Sequence, residues 1–299
     1  MSNSNEQFWL SLYNRVLSEG HVEAPRGRKT IALDNVMYVT EPPQHFDENP
    51  VRNVNPDYVF REFLWFITGN GRDLRMQKYA PIWKTCIGED GRINSNYGQY
   101  FFEQDSGFNG AFFRGLDLIA NDVATRRCWL PIFQEYHQTD TEHQDYPCTT
   151  GMGFTIRGNR LCMNVHMRSQ DMWWGAANDQ PVCYLLQLLA QAYLKHVHGN
   201  HFQIGPITHY IDNLHFYEKH WAQARLAFSS LKPSRPEMEA INELCQDGFS
   251  LYDIVSMFKL TLFWRDGIDG PREYSPLMTR VLTIPGDYGF EDEVRTWTT

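Results

Sequence analysis

The stretch LCMNVHMRSQDMWWGAANDQPVCYLLQLLAQAYLKHV, residues 161–197, carries the strongest structural signal in the chain. Apolar and more polar residues alternate over 161–168, which is the period of a half-buried strand. Residues 181–197 are apolar almost all round, and this pattern predicts a helix buried in the centre of a domain. Asp179 precedes that helix at an N-cap-like position, and Pro181 fits its first turn.

Helices and strands are mixed without strict alternation on either side of this stretch. The predicted fold class is therefore α+β, with one mixed β-sheet packed around a buried central helix, in a single domain over 1–299 whose part after about 230 is divergent. Further helices are predicted at 6–18 (ending at Gly20), 57–68 (stopped by Gly69), 110–123 and 214–229. Further strands are predicted at 29–40, 128–134, 152–157, 203–208 and 258–264, and a loop at 232–237.

Amino-acid composition and net charge exclude several classes of protein. The 299 residues are 42% hydrophobic and 21% charged, as in an ordinary globular protein. A net charge of -9 argues against a partner of polymeric DNA or RNA, although a few arginines suffice to bind one phosphate. No apolar run is long enough to span a membrane, and the N-terminus lacks the pattern of a signal peptide. We expect a cytoplasmic protein (in the host cytoplasm if phage-encoded) whose six scattered cysteines are free thiols.

Cys148, in YPCTTGMGF, is a candidate nucleophile. A nucleophilic cysteine needs a lowered pKa, usually from a nearby cation. If the strands at 152–157 and 161–168 pair as a hairpin, Arg168 returns close to Cys148. The alternative is a buried, inert structural thiol, which is what most free cysteines are.

Other charged residues admit two interpretations each. Glu62 lies on an apolar helical stripe, where a carboxylate is either paired in a salt bridge or functional. Arg126 and Arg127, and the basic loop 26–28, suit phosphate binding but equally suit a solvated surface. A metal site at the histidines of HVHGNH (196–201) matches no standard zinc spacing, so no metal is predicted.

Taken together, these residues resemble the thymidylate synthase family. The likeness runs from about Arg26 to Trp221. RSQDMWWGAAND (168–179) is similar to the family's R-S-x-D-x-x-x-G-x-x-x-N signature in every fixed residue except the last. The other matching motifs are REFLWF (61–66), IW (82–83), NYG (96–98), RR (126–127), PC (147–148) and H-F-Y-x-x-H (215–220).

The resemblance implies 5,10-methylenetetrahydrofolate as co-substrate, a pyrimidine nucleoside monophosphate as substrate, and a homodimer. Cys148 matches the nucleophile that adds to C6 of the pyrimidine, and Glu62 matches the carboxylate that manages protons through ordered water. The other matches are Arg168, Ser169 and a basic residue of the 26–28 loop (Arg28) for the phosphate, Arg126 and Arg127 for the partner's phosphate across the dimer interface, His215 and Tyr217 for the sugar 3′-hydroxyl, and Trp83, Asp171 and Tyr97 for the folate side.

Asp179 is the residue at which the sequence differs from the family signature, and this difference bears on the substrate. The family's uracil-reading asparagine lies eleven residues after the signature arginine, and eleven residues after Arg168 is Asp179. An amide answers both the O4 acceptor and the N3–H donor of uracil, whereas a carboxylate only accepts. Cytosine presents a 4-amino donor, and its N3 donates once protonated, so Asp179 predicts cytosine. The pattern thus resembles phage-type deoxycytidylate hydroxymethylases, which implies 5-hydroxymethyl-dCMP as product.

Several alternatives stay open. Asn178 is adjacent to Asp179, and a one-residue shift would put its amide on the base and make dUMP the substrate of a thymidylate synthase or a hydroxymethylase. Hydride transfer instead of hydration would give a cytosine C5-methylating enzyme, and CMP is an alternative to dCMP. A non-catalytic nucleotide-binding protein is the remaining hypothesis, and the presence of Cys148, Arg168 and Glu62 argues against it.

Overall fold

The computed structural model describes residues 4–41, 49, 51–102, 110–139, 143–228, 248–250, 253, 254 and 257. The described helices are α1 (Ser4–Glu19), α2 (Pro56–Ile67), α3 (Ala111–Asn121), α4 (Glu135–Thr139), α5 (Ala176–His198) and α6 (Trp221–Ala227). The described strands are β1 (His21–Glu23), β2 (Thr30–Thr40), β3 (Trp129–Pro131), β4 (Thr149–Arg157), β5 (Arg160–Met167), β6 (Gln170–Asp171) and β7 (Gln203–Tyr217). The predicted loop at 232–237 and strand at 258–264 lie outside the described residues.

One mixed sheet organises the chain. Its strand order is β1-β2-β7-β5-β4-β3, and the short β6 pairs with β7. β7 runs parallel to β5 and β6, and the other neighbours are antiparallel. The predicted α+β class, with a mixed sheet beside a buried helix, is confirmed.

The β4–β5 hairpin forms as predicted. Arg157 pairs with Arg160, and the two residues between them, Gly158 and Asn159, both have positive φ (56° and 63°). Two consecutive left-handed residues suit the right-handed twist of a two-residue hairpin, and glycine and asparagine adopt that conformation at least cost. The pairing brings the start of β4 opposite the end of β5, where the candidate nucleophile and Arg168 lie.

Helix α5 forms the buried helix of the domain. It packs against α2, α3, β5 and β7, and Leu186, Leu189 and Leu194 are fully buried along it. Its start differs from the prediction, because the helix begins directly after Gly175 and the backbone N–H of Asp179 already donates to Gly175 O (2.8 Å). Asp179 is therefore inside the first turn and is not the N-cap.

Strand β7 is longer than predicted. It occupies the start of the segment 214–229, where a helix was expected. β7 continues to Tyr217 because β2 pairs with it as far as Thr30, so packing within the sheet outweighs the local helical pattern. The helix that follows is restricted to α6 within the described residues. No helix in the described part of the chain combines the length and apolar character needed to cross a membrane.

Candidate active site

Cys148 lies immediately before β4, facing the end of β5. The backbone N–H of Arg168 donates to the carbonyl oxygen of Cys148 (2.9 Å), and its Nη2 lies 4.0 Å from Cys148 Sγ. The same guanidinium donates to the carbonyl oxygens of Pro147 (3.0 Å) and Tyr146 (2.9 Å). The predicted proximity of Arg168 and Cys148 is confirmed, and three carbonyl groups of one segment hold the arginine in place.

Tyr97 contacts the same segment through its hydroxyl group. Its hydroxyl oxygen accepts hydrogen bonds from the backbone N–H groups of Cys148 (3.3 Å) and Thr149 (3.4 Å). The ring packs against Phe66 of α2, with centroids 5.3 Å apart. The sequence motif assigned Tyr97 to the folate side, whereas its contacts in the protein position the backbone of the nucleophile.

Burial and a nearby cation have opposite effects on the pKa of Cys148. Burial raises the pKa of the Cys148 thiol to about 11, and the positive charges of Arg168 and Arg26 offset only part of that effect. The cation expected beside the cysteine is present, but the loss of hydration outweighs its effect on the pKa. In the protein alone the sulfur is protonated at neutral pH.

The two groups of arginines occupy different surroundings. In the loop 26–28, the charge of Arg26 acts on Cys148, and Arg28 is exposed at the end of the short 3₁₀ turn Pro25–Gly27. The assignment of Arg28 to the phosphate stays a prediction. Arg126 and Arg127 are exposed just before β3.

Glu62 projects from α2 and is 7% exposed. Trp83 Nε1 donates to the Tyr58 hydroxyl (3.1 Å), which in turn donates to Glu62 Oε1 (3.1 Å). Among the described residues Glu62 forms no ion pair, so the salt-bridge interpretation fails. Burial, followed by the negative charge of Asp179, raises the pKa of Glu62 to about 8. A carboxyl group that holds its proton near neutral pH is suited to general acid–base work.

Asp179 belongs to the same pocket. Its Oδ2 accepts a hydrogen bond from Gln170 Nε2 (3.1 Å), and its charge raises the pKa of both Glu62 and Cys148. Burial raises the pKa of Asp179 itself to about 7, against the opposing effect of the Gln170 hydrogen bond. Gly175 leaves room for this carboxyl, because a Cβ built on Gly175 would lie 3.3 Å from Asp179 Oδ2 and 2.7 Å from the Asp171 carbonyl oxygen.

Asn178 has different neighbours from Asp179. Its side-chain oxygen accepts a hydrogen bond from Arg52 Nη2 (3.5 Å), and Arg52 lies over the ring of Trp174 at 4.8 Å from the centroid. Trp174 is 51% exposed, whereas Arg52 is buried, so the exposed part of this cluster is aromatic. The side chain of Asn178 therefore contacts Arg52, whereas the side chain of Asp179 contacts Gln170.

The β6–β7 pairing brings three further predicted residues together. Asp171 is opposite His215 in register, and the His215 and Tyr217 rings meet edge to face at 5.1 Å. Asp171 Oδ1 accepts the backbone N–H of Trp173 (2.9 Å), and Ser169 is half-buried just before β6. Burial lowers the pKa of His215, whereas the charge of Asp171 opposes this. His215 is therefore neutral at pH 7 and able to donate one hydrogen bond and accept another.

Gln170 and Arg52 are the residues that sequence reasoning missed. Gln170 occupies the unspecified position of the signature, so the motif gives no signal for it. Arg52 lies outside every matched motif, although it donates to the carbonyl oxygen of Trp173 within the signature.

The histidines of the HVHGNH segment have other surroundings in the structure. His198 Nε2 lies 2.7 Å from Asp117 Oδ1, and His196 is exposed. Within the described ranges, no group of three or more histidine, cysteine or acidic side chains is arranged to hold a metal ion.

The chain is similar to known proteins of one family. The family model described as thymidylate synthase matches residues 7–260. The deoxyuridylate hydroxymethyltransferase of Bacillus phage SP01 is 26% identical over 227 residues, which cover 69% of this chain and 57% of that protein. The deoxycytidylate 5-hydroxymethyltransferases of Enterobacteria phages T4 and T2 are each 25% identical over 221 residues, covering 72% of this chain and 87% of theirs.

The match to the family model extends over most of the chain and includes every element that surrounds Cys148. Arg168 lies beside Cys148, and the charge of Asp179 acts on both Cys148 and Glu62. The chain belongs to the thymidylate synthase family.

Proposed function

We propose that this protein transfers a one-carbon unit from 5,10-methylenetetrahydrofolate to C5 of dCMP and hydrates it, giving 5-hydroxymethyl-dCMP. The observation that carries the proposal is the position of Asp179, a buried acidic group whose charge acts on both the Cys148 thiol and Glu62. The thiol supplies covalent chemistry, and the acidic group supplies the choice of base.

The reaction begins when the Cys148 sulfur loses its proton and adds to C6 of the pyrimidine. The displaced electron pair makes C5 nucleophilic, and C5 forms a bond to the methylene carbon of the folate as one of the two methylene–nitrogen bonds breaks. Loss of the C5 proton and cleavage of the remaining methylene–nitrogen bond release tetrahydrofolate and leave an exocyclic methylene. Water adds to that carbon, and the sulfur departs from C6. Glu62, held by Tyr58, orients the water and exchanges its proton.

Asp179 supports cytosine as the base. A carboxyl group accepts a hydrogen bond from the 4-amino group and shares one proton with N3. Facing uracil, the ionised form would set acceptors against O4 and leave a buried charge unpaired, at a cost of several kcal/mol. The separate contacts of Asn178, on the Arg52 side, also favour Asp179 as the group that meets the base.

The relatives support hydroxymethylation and leave the base open. The phage T4 and T2 proteins are named for deoxycytidylate, and the Bacillus phage SP01 protein is named for deoxyuridylate. Hydroxymethylation of dUMP is therefore the alternative function, favoured by the SP01 likeness. It requires Asn178 rather than Asp179 to contact the base. The folate would lie over Trp83, Asp171 and the exposed ring of Trp174.

We also propose a homodimer that pairs through the outer face of the sheet. Exposed side chains form a row across this face: Met37 is opposite Tyr210 in register, Tyr210 contacts His166 (ring centroids 4.6 Å), and His166 contacts Trp129 (5.1 Å). Exposed aromatic rows of this kind favour a protein partner over water. Arg126 and Arg127 border this row and would reach the partner's phosphate site.

The base-choice assay tests the function. Tritium release from 5-labelled dCMP and dUMP, with methylenetetrahydrofolate, measures which base reacts, and mass analysis identifies the product. Absorbance at 340 nm separates hydration from reductive methylation, because only the latter yields dihydrofolate. We expect release from dCMP, a product larger by the hydroxymethyl group, and no rise at 340 nm. Reaction of dUMP alone would contradict the role of Asp179.

A further inference from the structure

Gln170 joins Asp179 to a second buried group. Gln170 is 1% exposed, and its two amide atoms have different partners: Nε2 donates to Asp179 Oδ2 (3.1 Å), and Oε1 accepts from the Tyr38 hydroxyl (3.1 Å). Tyr38 is 5% exposed and stacks on His209 across the β2–β7 pair, with ring centroids 4.8 Å apart. The three side chains come from β2, β6 and α5, so the fold itself brings them into line.

We propose that Gln170, fixed by Tyr38, is a specificity-determining positioning residue that dictates which oxygen of Asp179 is the acceptor and which carries a proton. This inference rests on the proposed function, because it assumes that Asp179 meets the base. Gln170 itself acts through Asp179 and does not touch the nucleotide.

The argument starts from the hydrogen-bonding capacity of a carboxyl group. A protonated carboxyl has one donor and one acceptor oxygen, as an amide does, and in its two orientations it would pair with either cytosine or uracil. The N–H of Gln170 points at Oδ2, so a proton on Oδ2 would face another proton. Any proton on Asp179 is therefore confined to Oδ1, and only one of the two orientations remains.

The Tyr38 hydroxyl prevents the alternative in which the Gln170 amide rotates by half a turn. In the observed orientation the Tyr38 O–H donates to Oε1, and every polar atom of this chain of bonds has a complementary partner. Rotation would aim the amide N–H groups at Tyr38 and Oε1 at Asp179, and the Tyr38 hydrogen would lose its acceptor. An unpaired buried donor is costly, and this cost keeps the amide in one orientation.

The test exchanges the amide and the carboxyl group between positions 170 and 179. In Asp179→Asn, the Gln170 N–H still selects an acceptor, so the new amide turns its oxygen to Gln170. In Gln170→Glu/Asp179→Asn, the carboxylate at position 170 accepts from Tyr38 and from the new amide, which must turn round. An amide that offers N–H to N3 and oxygen to the 4-position fits cytosine, and the reverse fits uracil. We expect these two variants to prefer opposite bases, with dCMP-to-dUMP ratios of kcat/KM at least about 10-fold apart.

Two further variants test the wild-type arrangement. Gln170→Leu should lower the dCMP-to-dUMP ratio by about 10-fold or more, and Tyr38→Phe should lower it less, because Gln170 is then free to rotate. Gln187→Leu is the matched control: Gln187 is fully buried on α5 and donates to the carbonyl oxygens of Leu161 (2.7 Å) and Gly205 (3.1 Å), and its loss should leave the ratio unchanged.

The outcomes separate this inference from the proposed function. A wild-type protein that transfers a one-carbon unit to neither base defeats the proposed function. A wild type that prefers dCMP, together with equal ratios in Asp179→Asn and Gln170→Glu/Asp179→Asn, overturns the role of Gln170. If Gln170→Leu does not fold, the Tyr38→Phe ratio and the exchanged pair still decide, because Tyr38→Phe keeps the buried ring and the exchanged pair keeps polar groups at both positions.

Discussion

The Arg168 guanidinium lies 4.0 Å from Cys148 Sγ, and its geometry is set by the segment that carries the cysteine, since Arg168 donates to the carbonyl oxygens of Tyr146 and Pro147. These two hydrogen bonds tie the position of the cation to the segment that carries the sulfur. The arginine offsets part of the burial that raises the pKa of Cys148 to about 11, so its charge limits how far the thiol resists ionisation.

Removal of that charge should make Cys148 harder to ionise. We expect Arg168→Gln to slow alkylation of Cys148 by iodoacetamide about 10-fold at pH 9, because only the thiolate reacts. Mass spectrometry of the Cys148 peptide across pH 7 to 11 measures the rate separately from the other thiols. Arg168→Lys, which keeps the charge, should lie between, and Arg157→Gln, at the exposed end of β4, is the control. Equal rates in Arg168→Gln and wild type would contradict the electrostatic role.

Glu62→Gln should lower the catalytic rate and, at high pH, make the fold more stable. The substitution keeps an oxygen for the Tyr58 hydroxyl but cannot exchange a proton, so we expect kcat to fall about 10²- to 10⁴-fold. The pKa of Glu62 is raised from 4.5 to about 8, so the unfolded chain loses its proton first as pH rises. The carboxyl therefore destabilises the fold progressively between those two values, by at most about 5 kcal/mol above pH 8.

The pH dependence provides the measurement for Glu62. Urea unfolding at pH 5 and pH 9 should show Glu62→Gln close to wild type at the lower pH and more stable at the higher. A variant that is less stable at both values would mean that the glutamate contributes favourably to folding, contrary to its burial without an ion pair among the described residues.

Mixing two inactive variants should restore activity if the arginines cross a dimer interface. Cys148→Ala lacks the nucleophile, and Arg126→Gln/Arg127→Gln lacks the donated cations. In a mixed dimer one of the two sites regains both, so an equal mixture should approach about a quarter of the wild-type rate after subunit exchange. Tritium release measures the rate, and sedimentation confirms the dimer. Failure to complement in a proven dimer would remove the arginines from the partner's site.

His209 should make the fold sensitive to acid. It is fully buried, no described residue bonds either ring nitrogen, and burial lowers the pKa of His209 to about 3. As pH falls below about 6.5 the unfolded chain gains a proton that the fold does not accept, so stability drops, by about 2 kcal/mol at pH 5. His209→Phe should abolish this part of the pH dependence in urea unfolding between pH 7 and 5. His196→Gln, at an exposed position of α5, should behave as wild type.

The sequence predicted the parts of the site that depend on local pattern. The alternation in β5 and the polar turn after β4 sufficed to bring Arg168 to Cys148, and the apolar run of α5 located the buried helix. The length of β7 was missed because it depends on pairing with β2, a contact remote in sequence. Gln170 was missed for a similar reason: its importance lies in two partners from distant elements. The raised pKa of the Cys148 thiol could not be predicted from the motif, because burial is a property of the assembled fold.

Gly175 has a consequence for altering the substrate by design. The space that its missing side chain leaves is taken by the Asp179 carboxyl and the Asp171 carbonyl oxygen, so even alanine would collide there. Libraries aimed at new nucleobases should therefore keep position 175 unchanged and diversify 38, 170 and 179 together, since single changes in that trio leave unmatched hydrogen-bonding groups behind.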